Sequence, residues 1–474
     1  MPDAKLRTTL CGLQWPGRDV NTPFLLVRSA LPETAWPAIP ALEGASVLAF
    51  QFQLGLSQWY RPGQLRALQF RQLDALLHHA YATVPYYRRC WDGIYRPGEA
   101  LTPGRFARLP VIVRGELQAG FQAFRSAEFP AQHGTAVETR TSGSTGQPVR
   151  ILKTGLTDLV WQAVLLREHH WFERDLLGKM ATIRQGVTEG EADGWGPATD
   201  SAFRTGRLVT LPIRADVESQ LQWLERQQPY YLLTYPSNVE ALARISLEKR
   251  IRISSLREAR TFGELLNPGT RELCREAWGV PVVDAYSSVE AGYIALQCPR
   301  HEHYHVQSES VLVEILDDKG QACVPGEMGR IVVTPLHNFA MPLVRYDMGD
   351  YAEMGPPCAC GRGLPVLQRV VGRARNMLVT ADGKRYWPAL GTRSIAEIAP
   401  VLQYQLVQKQ FDLVEARLVT AAVLTPAQED GLRQLLRSRL PPGLHVKLVY
   451  CADIPRSASG KFEDFVSEVA TNRG

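Results

Sequence analysis

The sequence lacks several features that would place a chain of this size in a class at once. It contains no apolar run long enough to span a bilayer, and residues 1–10 lack the apolar stretch of a secretion signal. Lys/Arg tracts of the kind that bind nucleic acid are also missing, although the net charge is +5. We therefore expect a cytoplasmic protein that binds neither a membrane nor a nucleic acid.

Cysteine is sparse as well, with eight in 474 residues. This number does not make a disulfide framework in a chain of this length. One set with C-x₆-H and C-x-C spacing is a plausible group of ligands for structural zinc: Cys298, His305, Cys358 and Cys360. His301 and His303 compete with His305, which we prefer because it begins an apolar, alternating run. Four protein ligands leave no open position for water, so such an ion would be structural. The alternative is a group of reduced cysteines packed in loops.

The periodicity of apolar residues indicates an α/β protein of two or more domains. Residues 1–60 are punctuated by prolines and are expected to be irregular, whereas 64–81 and 158–172 have helical spacing. Short apolar runs recur between helical segments, at 208–213, 230–235 and 280–283. This alternation predicts βαβ units in a largely parallel sheet, with ligands bound beyond the carboxyl ends of its strands. Beyond residue 372 the pattern changes to strands at 415–424 and 446–450 around a helix at 426–440.

A segment rich in hydroxyl side chains and glycine, Thr-Ser-Gly-Ser-Thr-Gly-Gln-Pro, occupies positions 141–148, just before a predicted strand at 149–152. Glycine lets the backbone approach a ligand closely, and backbone N–H groups together with hydroxyls can hold phosphate oxygens. No lysine follows Gly146, so the segment is not a Walker loop. The alternative is a flexible surface linker.

Two acidic segments follow farther along the chain. Asp-Ala-Tyr-Ser-Ser-Val-Glu at 284–290 offers an aromatic ring that can stack on a base and a carboxylate that can hold magnesium. Arg-Tyr-Asp-Met-Gly-Asp at 345–350 places a glycine beside a carboxylate that suits the hydroxyls of a ribose. The alternative in both cases is an ordinary exposed turn.

Three further turns are weak taken singly: Gly-Glu-Leu at 263–265, Val-Gly-Arg-Ala-Arg-Asn at 371–376 and Pro-Arg-Ser-Ala-Ser-Gly-Lys at 455–461. A lysine after a Ser/Gly turn can bring a cation to a reacting phosphate and carboxylate. On its own, Lys461 would be an ordinary surface charge.

The order and spacing of these segments resemble the adenylate-forming superfamily of acyl-CoA synthetases and related adenylation enzymes, over roughly residues 60–465. Segment 141–148 is similar to the phosphate loop of that superfamily, 286–290 to its Tyr-Gly-x-Thr-Glu element and 345–350 to its Arg-Tyr-x-x-Gly-Asp element. Gly372-Arg373 resembles the hinge, and 455–461 the terminal Pro-Arg-x-x-x-Gly-Lys. Segments 109–111, 140–143, 298–306 and 358–362 resemble phenylacetate–CoA ligases and their relatives in capsule biosynthesis.

The resemblance implies a large N-terminal domain of βαβ subdomains over 1–372 and a small α+β lid over 373–474 that carries Lys461 and rotates between half-reactions. It implies ATP, Mg²⁺ and CoA as ligands, with three catalytic residues: Lys461, Glu290 (the magnesium ligand) and Arg373. The implied nucleotide-binding residues are Thr141, Ser142, Gly143, Ser144, Thr145, Gly146, Gly263, Glu264, Asp284, Tyr286, Ser287, Asp350 and Arg373. Within this set Tyr286 would flank adenine and Asp350 would hold the ribose.

The sequence departs from the family pattern at Val289, where a Thr or Ser is usual, at Ser287 in place of glycine, and at Arg375 in place of Asp. We interpret the first two as subfamily features. The sequence does not identify the carboxylic acid substrate. An apolar or aromatic acid is suggested by Tyr235, Phe262 and the helix with Trp161 and Trp171.

Three hypotheses therefore remain in view. The first is a CoA ligase, and the second is an adenylating enzyme that passes the acyl group to an amine or a carrier-protein thiol. The third is a non-catalytic nucleotide-binding protein. The oligomeric state is open too, with a homodimer as the general expectation.

Overall fold

The computed structural model describes residues 27–34, 36–141, 148–373, 376–382, 384–386, 395, 397–456 and 462–469. Several residues of interest lie outside the described residues: Ser142, Gly143, Ser144, Thr145, Gly146, Arg375 and Lys461. In the ranges that are described, no helix combines the length and the apolar character needed to cross a membrane.

The helices confirm the predicted pattern. Those of the large domain are α1 (Leu42–Ser57), α2 (Pro62–Thr83), α3 (Pro85–Cys90), α4 (Pro103–Phe106), α5 (Arg114–Ala119), α6 (Gly155–Trp171), α7 (Pro197–Asp200), α8 (Val217–Gln227), α9 (Pro236–Lys249) and α10 (Pro268–Trp278), and α11 (Pro426–Arg439) belongs to the C-terminal domain. The predicted helices at 64–81, 158–172 and 426–440 correspond to α2, α6 and α11. Helix α11 begins where the Thr425 side-chain oxygen accepts a hydrogen bond from the backbone N–H of Gln428.

The expectation that residues 1–60 are irregular is wrong for α1. Its residues Val47 and Leu54 are buried and pack with the apolar face of α6. Leu42 and Phe52, on the same helix, are exposed. Because apolar side chains occur on both faces, α1 lacks the one-sided spacing by which an amphipathic helix is recognised.

The strands are β1 (Val137–Arg140), β2 (Arg150–Lys153), β3 (Met180–Arg184), β4 (Gly190–Asp193), β5 (Arg207–Pro212), β6 (Tyr231–Thr234), β7 (Glu258–Phe262), β8 (Val282–Ser288), β9 (Gly292–Gln297), β10 (Tyr304–Val306), β11 (Val311–Leu316), β12 (Met328–Pro335), β13 (Tyr346–Met354), β14 (Val366–Arg373), β15 (Leu378–Val379), β16 (Arg385–Tyr386), β17 (Val401–Gln410), β18 (Leu413–Thr420), β19 (His445–Tyr450) and β20 (Phe465–Ser467). The runs predicted at 208–213, 230–235 and 280–283 correspond to β5, β6 and β8, each shifted by one or two residues at its start.

The large domain is built on one twelve-stranded sheet in the order β11-β12-β13-β14-β10-β9-β8-β7-β6-β3-β5-β4. Strands β5, β3, β6, β7 and β8 run parallel, as predicted from the βαβ alternation. The prediction of a largely parallel sheet is wrong, because every pairing from β8 to β11 and the pairing of β4 with β5 are antiparallel. Strand β8 therefore borders both halves, and its carboxyl end lies where the strand direction changes.

The C-terminal domain has its own sheet, in the order β19-β18-β17-β20. Its core packs one face of α11, through Leu432 and Leu436, onto β17 and β18, through Leu406 and Val414. An α/β protein with a small α+β C-terminal domain is thus confirmed. The exact boundary between 372 and 373 stays a prediction.

Candidate active site

A cleft of about 930 Å³ lies beyond the carboxyl ends of the parallel strands, between the large domain and the C-terminal domain. Its wall contains the predicted catalytic and nucleotide-binding residues that the structure describes: Thr141, Gly263, Glu264, Asp284, Tyr286, Ser287, Glu290, Asp350 and Arg373. Residues 453–456 and 462–464 contribute the wall on the C-terminal side. Thr141 and Asp464 therefore face a single space although they lie 323 positions apart in the sequence. Ligands of open α/β sheets bind in such a crevice beyond the strand ends.

One side of the cleft is formed by Tyr286, Asp350 and Arg373. The Tyr286 hydroxyl donates a hydrogen bond of 2.7 Å to Asp350 Oδ2, and Arg373 Nε lies 3.6 Å from Asp350 Oδ1. Antiparallel pairing of β13 with β14 places Asp350 directly opposite Arg373. Burial, followed by the charge of Asp350, raises the pKa of Tyr286, so its hydroxyl stays protonated and donates. The sequence suggested that Asp350 lies in a turn, whereas it lies within β13.

Glu290 also lines the cleft and is buried at the turn between β8 and β9. Arg114 Nη1 lies 3.5 Å from Glu290 Oε1, and Arg114 Nη2 donates to Thr141 Oγ1 at 3.3 Å. Thr141 Oγ1 also accepts from the backbone N–H of Val149 at 2.8 Å, which fixes the residue at the edge of segment 141–148. Arg114 therefore joins this edge to the buried carboxylate.

Sequence reasoning missed Arg114. It is the first residue of α5, directly after the apolar run at 111–113, and it matches none of the motifs considered. Its position becomes informative only after Thr141 and Glu290 are seen on either side of it. The Leu-Pro-Val mark at 109–111 was the nearest signal in the sequence.

The carboxylate of Asp284 belongs to the sheet more than to the cleft. Thr261 Oγ1 and the Tyr304 hydroxyl each donate to it at 2.7 Å, one to each oxygen. Burial raises its pKa in spite of these two donors. Asp284 thus lines the cleft with its oxygens already bonded to neighbouring strands, and its predicted contact with the nucleotide stays a prediction.

The aromatic residues that hinted at an acid pocket lie outside the cleft wall. Trp171 is buried and donates its indole N–H to Gln58 Oε1 at 2.9 Å. Trp161 stacks on Tyr293, with ring centroids 6.0 Å apart. The apolar part of the cleft is lined instead by Ile213, Ala215, Val217, Leu265 and Leu266.

The predicted zinc ligands come together in the large domain. One donor atom from each of Cys298, His305, Cys358 and Cys360 lies within 4.8 Å of the others. His305 is on β10, which pairs with both β9 and β14, and this pairing brings the end of β9 beside the loop before β14. His303 stays a competitor, since its Nε2 lies 3.0 Å from Cys358 Sγ.

The sequence was compared with those of known proteins. No model of a protein family matches the sequence. The phenylacetate-coenzyme A ligase of Aromatoleum evansii is 27% identical over 327 residues, which cover 67% of this chain and 72% of the relative. That of Escherichia coli K12 is 24% identical over 415 residues, covering 83% of this chain and 93% of the relative. The sequence is thus similar, at low identity, to phenylacetate–CoA ligases.

The fold agrees with this relationship. The crystal structure of a 2-hydroxyisobutyryl-CoA ligase, in the postadenylation state with an acyl-AMP, has a TM-score of 0.67 at 18% identity and covers 87% of this chain and 91% of its own. The resemblance to the adenylate-forming fold is therefore confirmed. The expectation of an enzyme of the ligase class is confirmed by the relatives, which carry that name.

Proposed function

We propose that this chain activates a carboxylic acid with ATP and then transfers the acyl group to CoA. The observation that supports the proposal is the meeting of Tyr286, Asp350 and Arg373 with Thr141, Arg114 and Glu290 in one cleft. In the first step a carboxylate oxygen attacks the α-phosphorus of ATP, the bond to the bridging oxygen breaks, and pyrophosphate leaves. In the second, the CoA thiol attacks the acyl carbon, AMP leaves with the bonding electrons, and the thiol proton passes to solvent.

The group at Tyr286 is suited to the nucleoside. Asp350 would accept hydrogen bonds from the ribose hydroxyls, and the Tyr286 hydroxyl holds one of its oxygens at 2.7 Å. The ring of Tyr286 would flank the adenine, with Ser287 and the main chain of Gly263 and Glu264 beside it. Arg373 is then close enough to Asp350 to contact the nucleotide as well.

The group at Glu290 is suited to the phosphates. A buried carboxylate that Arg114 joins to Thr141 fits Mg²⁺, which takes oxygen ligands shared with phosphates and neutralises their charge. Arg114, between Thr141 and Glu290, supplies a fixed cation at the same place. Ser142, Ser144 and Thr145 would bind the β- and γ-phosphates, and Lys461 would contact the α-phosphate and the acid during adenylation. A chain truncated before Arg373 should form adenylate far more slowly than the parent, if residues 373–474 act as the lid.

Acid-dependent exchange of labelled pyrophosphate into ATP tests the first step, with aryl, aliphatic and amino acids as candidates. Because the cleft has an apolar section, we expect aryl or aliphatic acids to support exchange best. Arg114→Ala should lower this exchange about a hundredfold, as loss of a preorganised donor does at other charged transition states. Exchange that continues undiminished in Arg114→Ala would remove Arg114 from the phosphate site.

The acceptor is tested separately. With ATP, acid and hydroxylamine, the adenylate is trapped as hydroxamate, and added CoA should divert it to thioester. Hydroxamate without thioester would favour an amine or a carrier-protein thiol as acceptor. Absence of both products and of exchange, for every acid, would favour the non-catalytic nucleotide-binding alternative.

We also propose a structural zinc ion at Cys298, His305, Cys358 and Cys360. Tetrahedral Zn–S bonds of about 2.3 Å place two sulfurs about 3.8 Å apart, and Cys298 Sγ lies 3.9 Å from Cys358 Sγ. Three thiolates and one imidazole are a common structural donor set and leave no position for a substrate. The purified protein should contain one equivalent of zinc, and Cys358→Ser should lose it and melt at a lower temperature. A metal-free parent with an unchanged melting temperature would contradict the assignment.

A further inference from the structure

We propose that Glu264 is a positioning residue that holds the C-terminal domain against the cleft for adenylation, so that it serves the first half-reaction and not the second. This inference rests on the function proposed above. It assigns to the Glu264 side chain a different task from the contact with the nucleotide that the family resemblance implied.

Glu264 directly follows β7, and only 3% of its side chain is exposed. Its Oε2 accepts from the backbone N–H of Ser237 at 3.0 Å, at the start of α9. Its Oε1 accepts from the backbone N–H of Phe462 at 2.7 Å and lies 3.4 Å from Arg456 Nη1. The carboxylate therefore binds the large domain with one oxygen and the C-terminal chain with the other.

The two C-terminal partners of Glu264, Arg456 and Phe462, lie close together in the sequence. Arg456 and Phe462 lie on either side of 457–461 in the sequence, and Glu264 Oε1 accepts a hydrogen bond from each of them. Lys461 is the residue immediately before Phe462. Fixed contacts at the residues on either side of a reacting group are one means by which remote interactions orient it.

Neighbouring contacts join the same two surfaces. Arg456 Nη1 also donates to Ser237 Oγ at 2.7 Å, so this arginine meets both Glu264 and the first turn of α9. Asn267 Nδ2 donates to Asp464 Oδ2 at 3.4 Å, three residues after Glu264 on one side and two after Phe462 on the other. Each of these bonds depends on the present arrangement of the domains.

The contact is also suited to being broken. Burial raises the pKa of Glu264 in spite of the donors from Ser237 and Arg456, so the ionised carboxylate is held here at a cost. Burial raises the pKa of Asp464 as well. A ligand that binds another arrangement of the domains more tightly would shift the population towards that arrangement.

Adenylation and thioester formation should be measured separately in the Glu264→Gln variant. The amide keeps the shape of the side chain but has one accepting oxygen, so it cannot serve donors at both positions. We expect pyrophosphate exchange to fall about a hundredfold, as misplacement by a remote change can produce. Thioester formation from CoA and supplied acyl-adenylate should stay within about twofold of the parent. Glu272→Gln, at an exposed position of α10, is the matched control and should change neither rate.

Arg456→Gln gives a second measurement at a less buried position, and it should bias the half-reactions in the same direction by a smaller factor. Equal losses in both half-reactions, or no loss in the first, would overturn the positioning role. A parent protein that shows no exchange with any acid would instead refute the proposed function, so the two failures are distinguishable.

Discussion

Two buried carboxylate–arginine systems in this molecule differ in what they hold together. Inside the large domain, Glu168 Oε2 lies 2.7 Å from Arg260 Nη2, its Oε1 lies 3.0 Å from Arg174 Nη2, and Arg174 reaches Glu258 at 2.7 Å. Between the domains, Glu264 meets one arginine, Arg456, and two backbone N–H groups. The first system connects α6 to β7 within one body, whereas the second connects two bodies.

The pKa shifts of Glu168 and Glu264 differ in the same sense, although burial raises the pKa of Glu258 in the first system. Burial acts to raise the pKa of Glu168, but Arg260 and Arg174 outweigh it, and the net shift is downward. At Glu264 burial outweighs Arg456 and the hydrogen bonds, and the pKa is raised. Paired charges of the first kind hold one arrangement, because any change leaves a charge buried and unpaired. The second kind costs less to break, as the positioning role proposed for Glu264 requires.

The largest expected effect is a difference in the free energy of unfolding between variants of Glu168 and Glu264. Glu168→Gln leaves Arg174 and Arg260 without their shared anion and should lower the free energy of unfolding by about 3–5 kcal/mol. Glu264→Gln should lower it by about 1 kcal/mol, the cost of one weakened hydrogen bond. Urea denaturation of both variants beside Glu272→Gln measures the difference. Equal losses would show that the two systems are equivalent.

A large effect on activity without a loss of stability is expected at Lys461, which directly precedes Phe462 in the sequence. Lys461→Ala should lower acid-dependent pyrophosphate exchange roughly a hundred- to a thousandfold, as loss of a cation at a charged transition state does. Its denaturation midpoint should match that of the parent, since the change deletes no buried charge pair in the large domain. An unaltered exchange rate would remove Lys461 from the first half-reaction.

A smaller effect is expected at Tyr286. Tyr286→Phe removes the hydroxyl that orients Asp350 and keeps the ring beside the proposed adenine position. Loss of a hydrogen bond to a charged group corresponds to about 1.5–3 kcal/mol, so the KM for ATP should rise roughly tenfold or more while the half-reaction ratio is unchanged. A shift in that ratio would mean that Tyr286 also influences domain docking.

The smallest effect concerns pH, and its sign differs between the two carboxylates. Glu168 has a lowered pKa, so its stabilising contribution is complete above the ordinary value of 4.5 and is lost as the pH falls through its lower folded value. Glu264 has a raised pKa, so protonation in the folded state relieves a cost as the pH falls from above that value towards 4.5. Denaturation midpoints should therefore be measured between pH 7 and pH 3. Glu168→Gln should remove the part of the fall in midpoint below pH 4.5 that Glu168 contributes. Glu264→Gln should instead remove the rise in midpoint that protonation of Glu264 contributes above pH 4.5.

Much of the fold could be predicted because the parallel half of the sheet alternates with helices of regular spacing. Strands β5, β6 and β8 each follow from a short apolar run between helical segments. The antiparallel half was missed because its strands are buried on both faces along much of their length, as in β12, and so lack a clean alternation. Helix α1 was missed for the related reason that apolar side chains cover both of its faces.

The candidate site was predicted where it depends on motifs and missed where it depends on tertiary contact. Tyr286, Glu290 and Asp350 belong to motifs and share the cleft, and the spacing of the cysteines anticipated the group around His305. Arg114 has no motif, since its meaning depends on Thr141 and Glu290, which approach it only after folding. The partners of Glu264 likewise come from another domain, and no local pattern could name them.

The most direct measurement for the whole account is exchange of labelled pyrophosphate into ATP by the parent protein with a panel of carboxylic acids and no CoA. The account predicts exchange that depends on the acid and on Mg²⁺ and that falls about a hundredfold or more in Lys461→Ala. A folded protein that shows no exchange with any acid, or exchange that Lys461→Ala leaves unchanged, would contradict it.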